Sequence, residues 1–200
     1  MLSVVRLASV LLLTLGGLAS ARCAEGQAPP VPGRYPITRA DVDFVTGMIS
    51  HHAQAVVMAN WAPDRTESRA VRVLCARIVN AQADEIVNFQ QWLEDRGLPV
   101  PEARPMPTKV LMDGVEHEMM MPGMLTDAQM TALEQSTGVE FDRNLLTFMI
   151  QHHEGAVSMV NQLLASPGAA QDEMVFKFAS DIYADQTAEI ERMQQMLSTF

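Results

Sequence analysis

The sequence predicts an all-α protein, a four-helix bundle made of two repeated helical hairpins. Three observations carry that prediction. Apolar residues recur at spacings of three and four through most of residues 38–200. The segment Met48-Ile49-Ser50-His51-His52 returns as Met149-Ile150-Gln151-His152-His153 at a constant offset of 101 residues, which Asp41 and Asp142 share. A second repeat sits downstream: Ile78, Gln82, Glu85, Ile86, Gln90, Gln91 and Leu93 match Ile182, Gln186, Glu189, Ile190, Gln194, Gln195 and Leu197 at offset 104. Two copies of one αα-hairpin close naturally by burying each other's apolar faces.

The elements follow in chain order. Arg6 and the uncharged, leucine-rich run Leu7–Ala21, ending in Ala19-Ser20-Ala21, have the layout of a signal peptide spanning residues 1–21. That run is 15 residues long, short of the roughly 20 a spanning helix needs. Residues 22–37 are rich in Pro, Gly and Ala and form a linker to the bundle domain, residues 38–200. Thr38 and Asp41 make a helix start, and the first helix runs to about Trp61, with Pro63-Asp64 as the turn. A second runs from about Arg65 to Arg96 and stops at Gly97-Leu98-Pro99. These two complete the first hairpin, residues 38–97.

Residues 98–138 are a Met-rich connection. Pro99, Pro101, Pro105, Pro107 and Pro122 forbid one regular element through residues 98–125, and no strand pattern competes with the helical periodicity. Thr126 and Gln129 form a capping box for a short helix that ends at Gly138. The second hairpin, residues 139–200, has one helix from about Glu140 to Ala165. Pro167-Gly168 turns the chain, and the last helix starts at about Ala169.

With 24 acidic against 14 basic residues, the formal charge is −10, or −11 once Arg6 is removed with the leader. That sign argues against nucleic acid and anionic membranes as partners. Cleavage leaves a chain with no stable membrane insertion, periplasmic or secreted. Cys23 and Cys75 are then both in an oxidising compartment and free to pair. The apolar run around Cys75 favours burial as a small hydrophobe.

Four of the five histidines lie in the two pairs, and the fifth, His117, lies in the connection. On each first helix the second histidine of the pair, His52 or His153, falls on the core face and His51 or His152 on its flank. Met48 and Met58 share the side of His51, as Met149 and Met159 share that of His152. Helix counting sets Gln82, Glu85, Gln186 and Glu189 nearer to Asp41 and Asp142 than to the histidines, and Cys75 near the level of His51. Burying imidazoles costs free energy unless each finds a partner, and one metal satisfies several nitrogens together. Seven of the fifteen methionines lie between Met106 and Met130, among them Met119, Met120, Met121 and Met124. Thioether and imidazole donors select soft cations, copper first and silver second.

The competing chemistries leave less of the sequence explained. Di-iron bundles use Glu-x-x-His, and no glutamate stands three residues before any histidine here. Zincin spacing is likewise absent, and a structural zinc site of four histidines leaves the methionines idle. Two other classes stay open: a metallo-oxidoreductase using the His pairs with Glu85, Glu154 or Glu189, and a helical interaction module whose histidines are hydrogen-bonded core residues.

The duplicated Met-x-x-His-His motif, the following Met58 or Met159 and the Gln-x-x-Glu-Ile second helix resemble the ferritin-like "domain of unknown function 305" family. The resemblance covers about residues 38–200. It implies an exported or membrane-attached protein of four helices that holds copper or silver, and sequestration rather than enzymatic turnover is the expected role. The ligands it implies are His51, His52, His152, His153 and neighbouring methionines, with the Met-rich connection as a further site. A copper-handling protein partner is a separate expectation, which the resemblance does not supply.

Overall fold

The computed structural model describes residues 36–112 and 115–200, and the side chains of residues 108–119 are outside that description. The expected leader, most of the linker and any Cys23–Cys75 bond fall outside it too. Cys75 itself is buried and, among the described residues, has no disulfide partner. The order of elements is α1 (Arg39–Asn60), α2 (Ala62–Arg65), α3 (Arg69–Glu94), β1 (Thr108–Met112), β2 (Val115–Met119), α4 (Asp127–Gln135), α5 (Gly138–Ala165) and α6 (Glu173–Leu197). Helices α1 and α3 form one antiparallel hairpin and α5 and α6 the other, with α1 packed across α5. The expected all-α bundle of two hairpins is therefore observed.

The caps explain where the helices start. The Thr38 hydroxyl accepts from the Asp41 amide, and the Asp41 carboxylate accepts from the Thr38 amide at 2.7 Å. Thr126 and Gln129 repeat this reciprocal box at α4. Asp172 caps α6 by accepting from the Met174 and Val175 amides. It also accepts from Trp92 Nε1 at 3.0 Å and pairs with Arg96 at 2.6 Å, which ties the end of α3 to the start of α6.

Three expectations need correction. The first inter-helix turn is longer than Pro63-Asp64. Those residues form the single helical turn α2, Pro63 fitting its first turn, and α3 begins only after the Ser68 cap. Helix α6 begins at Glu173 rather than Ala169, because Asp172 is the cap and Ala170 has a left-handed φ of 55°. The third correction is that the connection contains an antiparallel ribbon pairing Thr108 with Met119 and Met112 with Val115. The residues between its strands in sequence are Asp113-Gly114, the pair that a two-residue hairpin turn favours.

The core splits into two clusters on either side of the histidines. One holds Met48, Phe89, Met121, Met124, Met159 and Phe178, and the other Met58, Cys75, Leu125, Phe141 and Met149. Among the described residues no helix is long and apolar enough to cross a membrane.

Candidate metal centre

Adjacent residues on a helix point about 100° apart, so each His-His pair serves two neighbours. His51 of α1 and His152 of α5 meet across the hairpin interface, ring centroids 3.9 Å apart and planes tilted by 41°. His52 and His153 turn the other way, each toward the partner helix of its own hairpin. His153 Nε2 lies 2.8 Å from Glu189 Oε2 and His52 Nε2 lies 2.9 Å from Glu85 Oε2. All four rings are completely buried. His51 and His152 are thus core residues rather than flanking ones, since α1 and α5 bury that flank between them.

The two glutamates also sit elsewhere than helix counting suggested. Both chain reversals finish several residues later than Pro63-Asp64 and Pro167-Gly168, which moves Glu85 and Glu189 from the level of the aspartates to the level of the histidines. The same delay takes Cys75 away from His51. It packs with Ala62 and Val71, and burial, reinforced by Asp142, pushes its thiol up to about 12. Glu154 is exposed and takes no part.

The segment Met121–Leu125 lies over His51. Pro122 O accepts from His51 Nε2 at 2.9 Å. Gln54 grips Leu125 twice, donating to its carbonyl at 3.0 Å and accepting from its amide at 2.7 Å. Gln151 donates to Gly123 O at 3.2 Å and accepts from Gln129. Gly155 makes the approach feasible: a Cβ there would stand 2.0 Å from Pro122 O. Gln54, Gln151, Gly123 and Gly155 are the site residues that sequence reasoning missed. A glycine inside a helix, which costs about 1 kcal/mol relative to alanine, was the available signal.

The methionines divide by cluster. Met48 and Met159 pack on one side of the histidine layer with Met121 and Met124, and Met58 and Met149 pack on the other. Met121 Sδ and Met159 Cε both reach Gly47, 3.1 and 3.4 Å from where its Cβ would be. With exposed Met120 they line a groove of about 570 Å³ between α1 and α5. His117 and Met119 fall on β2, with side chains outside the description.

Burial keeps His51, His152 and His153 neutral. Burial lowers His51 to about 3, helped by nearby His52 and opposed by the Pro122 carbonyl. His152 is held well below its ordinary value by burial and then by His51. Burial lowers His153 too, against the pull of Glu189. Neutral imidazole is the form that binds metal. Among the described residues, His51 Nδ1, His153 Nδ1 and both ring nitrogens of His52 and His152 have no hydrogen-bond partner. The Glu85 contact of His52 is close enough for an ion pair but off the line of a hydrogen bond. Each unmatched buried polar atom costs about 1–3 kcal/mol. Nitrogen lone pairs without partners, bracketed by thioethers, fit a soft or borderline cation. Among the described residues, no three His, Cys, Asp or Glu side chains are already arranged around one ion.

Comparison with known proteins agrees with this architecture. A secreted-type DUF305 protein of Streptomyces coelicolor superposes with a TM-score of 0.67 at 30% identity, covering 80% of this chain and 93% of its own. A DUF305 fragment from Deinococcus radiodurans gives 0.68 at 29%, covering 83% and 100%. CopM, solved with Cu(II), gives 0.61 at 27%, covering 80% and 96%, and is also known in Cu(I)- and Ag-bound forms. An uncharacterised protein of Acanthamoeba polyphaga mimivirus is 33% identical over 58 residues, which span 38% of that protein and 29% of this chain. The profile of the Domain of unknown function (DUF305) matches residues 41–197, from the α1 cap to the end of α6, and this chain belongs to that family.

Proposed function

We propose that this protein is an exported, non-enzymatic metal-binding protein that sequesters or buffers Cu(I), and Ag(I) by the same chemistry, at the four-histidine layer. The observation that carries the reading is the layer itself: four fully buried imidazoles whose unpartnered nitrogens lie between two sets of methionines. Those nitrogens are poorly served by an all-protein core and well served by a metal ion. CopM, similar over most of both chains, is known with copper and with silver bound, which supports the choice of cargo. The thioether-lined groove at Met120, Met121 and Met159 also takes in Pro122, whose carbonyl meets His51, and Asp43. His117, Met119 and Met124 of the connection are proposed as a further site, and a copper-handling protein is the proposed recipient.

The His52–Glu85 and His153–Glu189 contacts support a second reading, a metallo-oxidoreductase with carboxylate participation. Steady redox turnover with a supplied reductant would favour it. The test of the main reading is an anaerobic Cu(I) titration of the mature chain, Arg22 to Phe200, against a chromophoric chelator, beside a variant with His51, His52, His152 and His153 all changed to Ala. Tight binding in the native chain that disappears in the variant is expected. Binding that persists would move the function to the methionines.

A further inference from the structure

The hydrogen bonds around the histidine layer specify which nitrogen of each ring faces a metal. A ring nitrogen next to a carbonyl oxygen must carry the proton, because the carbonyl only accepts. His51 Nε2 stands 2.9 Å from Pro122 O, so Nε2 is the N–H and Nδ1 holds the lone pair. An ionised carboxylate likewise only accepts, and His153 Nε2 stands 2.8 Å from Glu189 Oε2. In both rings the remaining nitrogen, Nδ1, is buried with no partner. Metal-ligating histidines generally donate their other N–H to a carboxylate or backbone carbonyl, which fixes the tautomer and raises ligand basicity. The two acceptors reach their rings by different routes. Glu189 comes from α6 one hairpin partner away, whereas Pro122 is delivered by the connection and admitted only because residue 155 lacks a Cβ.

We infer that Glu189 and the Pro122 carbonyl are positioning groups that lock His153 and His51 in the Nε2–H tautomer, presenting Nδ1 of each as the metal-binding atom. Glu85 holds the corresponding place beside His52, at 2.9 Å from its Nε2, and becomes the third such group once that ring rotates into line. Gly155 is part of the same device, since it sets the position of Pro122. The ligand role of Nδ1 rests on the soft-metal reading above; the tautomers do not.

The experiment is ¹⁵N imidazole NMR on the apo protein, followed by Ag(I) titration as the diamagnetic probe. Expected in the apo spectra are His51 and His153 with protonated Nε2 and unprotonated Nδ1, and Ag(I) then shifts Nδ1. Glu189→Leu should scramble the His153 tautomer and weaken Ag(I) binding roughly 10- to 100-fold, and Glu189→Gln, which keeps an acceptor oxygen, should restore both. His51 should stay locked in either variant, which shows that the fold has survived. Apo rings protonated at Nδ1 would overturn the inference while leaving metal capture intact. Silver that shifts no ring nitrogen, with the tautomers as assigned, would sink the capture reading and the ligand role of Nδ1 together. An unchanged His153 tautomer in Glu189→Leu would remove Glu189 from the device.

Discussion

Two residues after each His-His pair the repeats diverge: the first hairpin has Gln54 and the second has Gly155. Gln54 reaches out and binds Leu125 through both ends of its amide, whereas Gly155 withdraws and lets Pro122 and Gly123 come within contact of the α5 backbone. One connection, Met121–Leu125, is thereby clamped across a duplicated frame at a single register. The aspartates differ in the same sense. Asp41 accepts from Thr38 N, Thr38 Oγ1 and Ala170 N, whereas Asp142, equally buried, has an Oδ1 with no partner among the described residues. Duplication therefore supplies two corresponding His–Glu pairs, of which only His153–Glu189 is hydrogen-bonded, and the connection sets the halves further apart by giving His51 the Pro122 carbonyl.

Among the substitutions, Gly155→Ala should have the largest effect, because it forces Pro122 off α5. Overpacking of this kind typically costs about 1–3 kcal/mol, and more where backbone is displaced. Urea unfolding would measure it, and Cu(I) affinity should fall with it. Gln54→Ala, which removes hydrogen bonds without a clash, should cost less. The reverse order would mean that Gln54, not Gly155, seats the connection.

Acid should act on both halves together. His51, His152 and His153 have folded-state values below 6.5, so below about that pH the unfolded chain takes up protons that the folded chain refuses. Apo stability is full above pH ~6.5 and falls as pH drops toward the lowered values. The slope approaches about 1.4 kcal/mol per pH unit for each such ring. Copper loading should flatten this decline, since the ion and the proton compete for the same nitrogens. Melting curves from pH 7 to 4.5 would check it, and an apo protein equally stable at pH 5 and 7 would mean that the rings are accessible to protons.

The aspartate contrast is the smallest effect. Asp41→Asn should cost about 1–2 kcal/mol, because the amide nitrogen replaces one accepting oxygen and faces either the Ala170 amide or the two Thr38 donors without being able to accept. Asp142→Asn should be nearly neutral. Equal losses in thermal melts would show that Asp142 has partners as good as those of Asp41.

Much of this was legible in the sequence. Thr38–Asp41 and Thr126–Gln129 announced two helix starts, and the offset of 101 announced two equivalent histidine pairs. What failed was distance along the chain. A helical turn hidden at Ala62–Arg65 and a cap at Asp172 lengthen the two reversals, and each extra residue shifts the facing helix by about 1.5 Å. Glu85 and Glu189 were therefore recognised as a repeat but assigned to the wrong level. The ribbon at Thr108–Met119 was obscured by the surrounding prolines, although Asp113-Gly114 marked it. Gly155 read as an unfavourable helix residue, because its purpose lies in a segment more than thirty residues earlier that only tertiary structure brings to it.

The most direct test of the histidine layer as the metal centre is copper K-edge X-ray absorption on the Cu(I)-loaded protein. The account predicts a first shell combining imidazole nitrogen, with its characteristic outer-ring scattering, and thioether sulfur. A shell of sulfur alone, with no imidazole signature, would contradict it and leave the buried histidines as core.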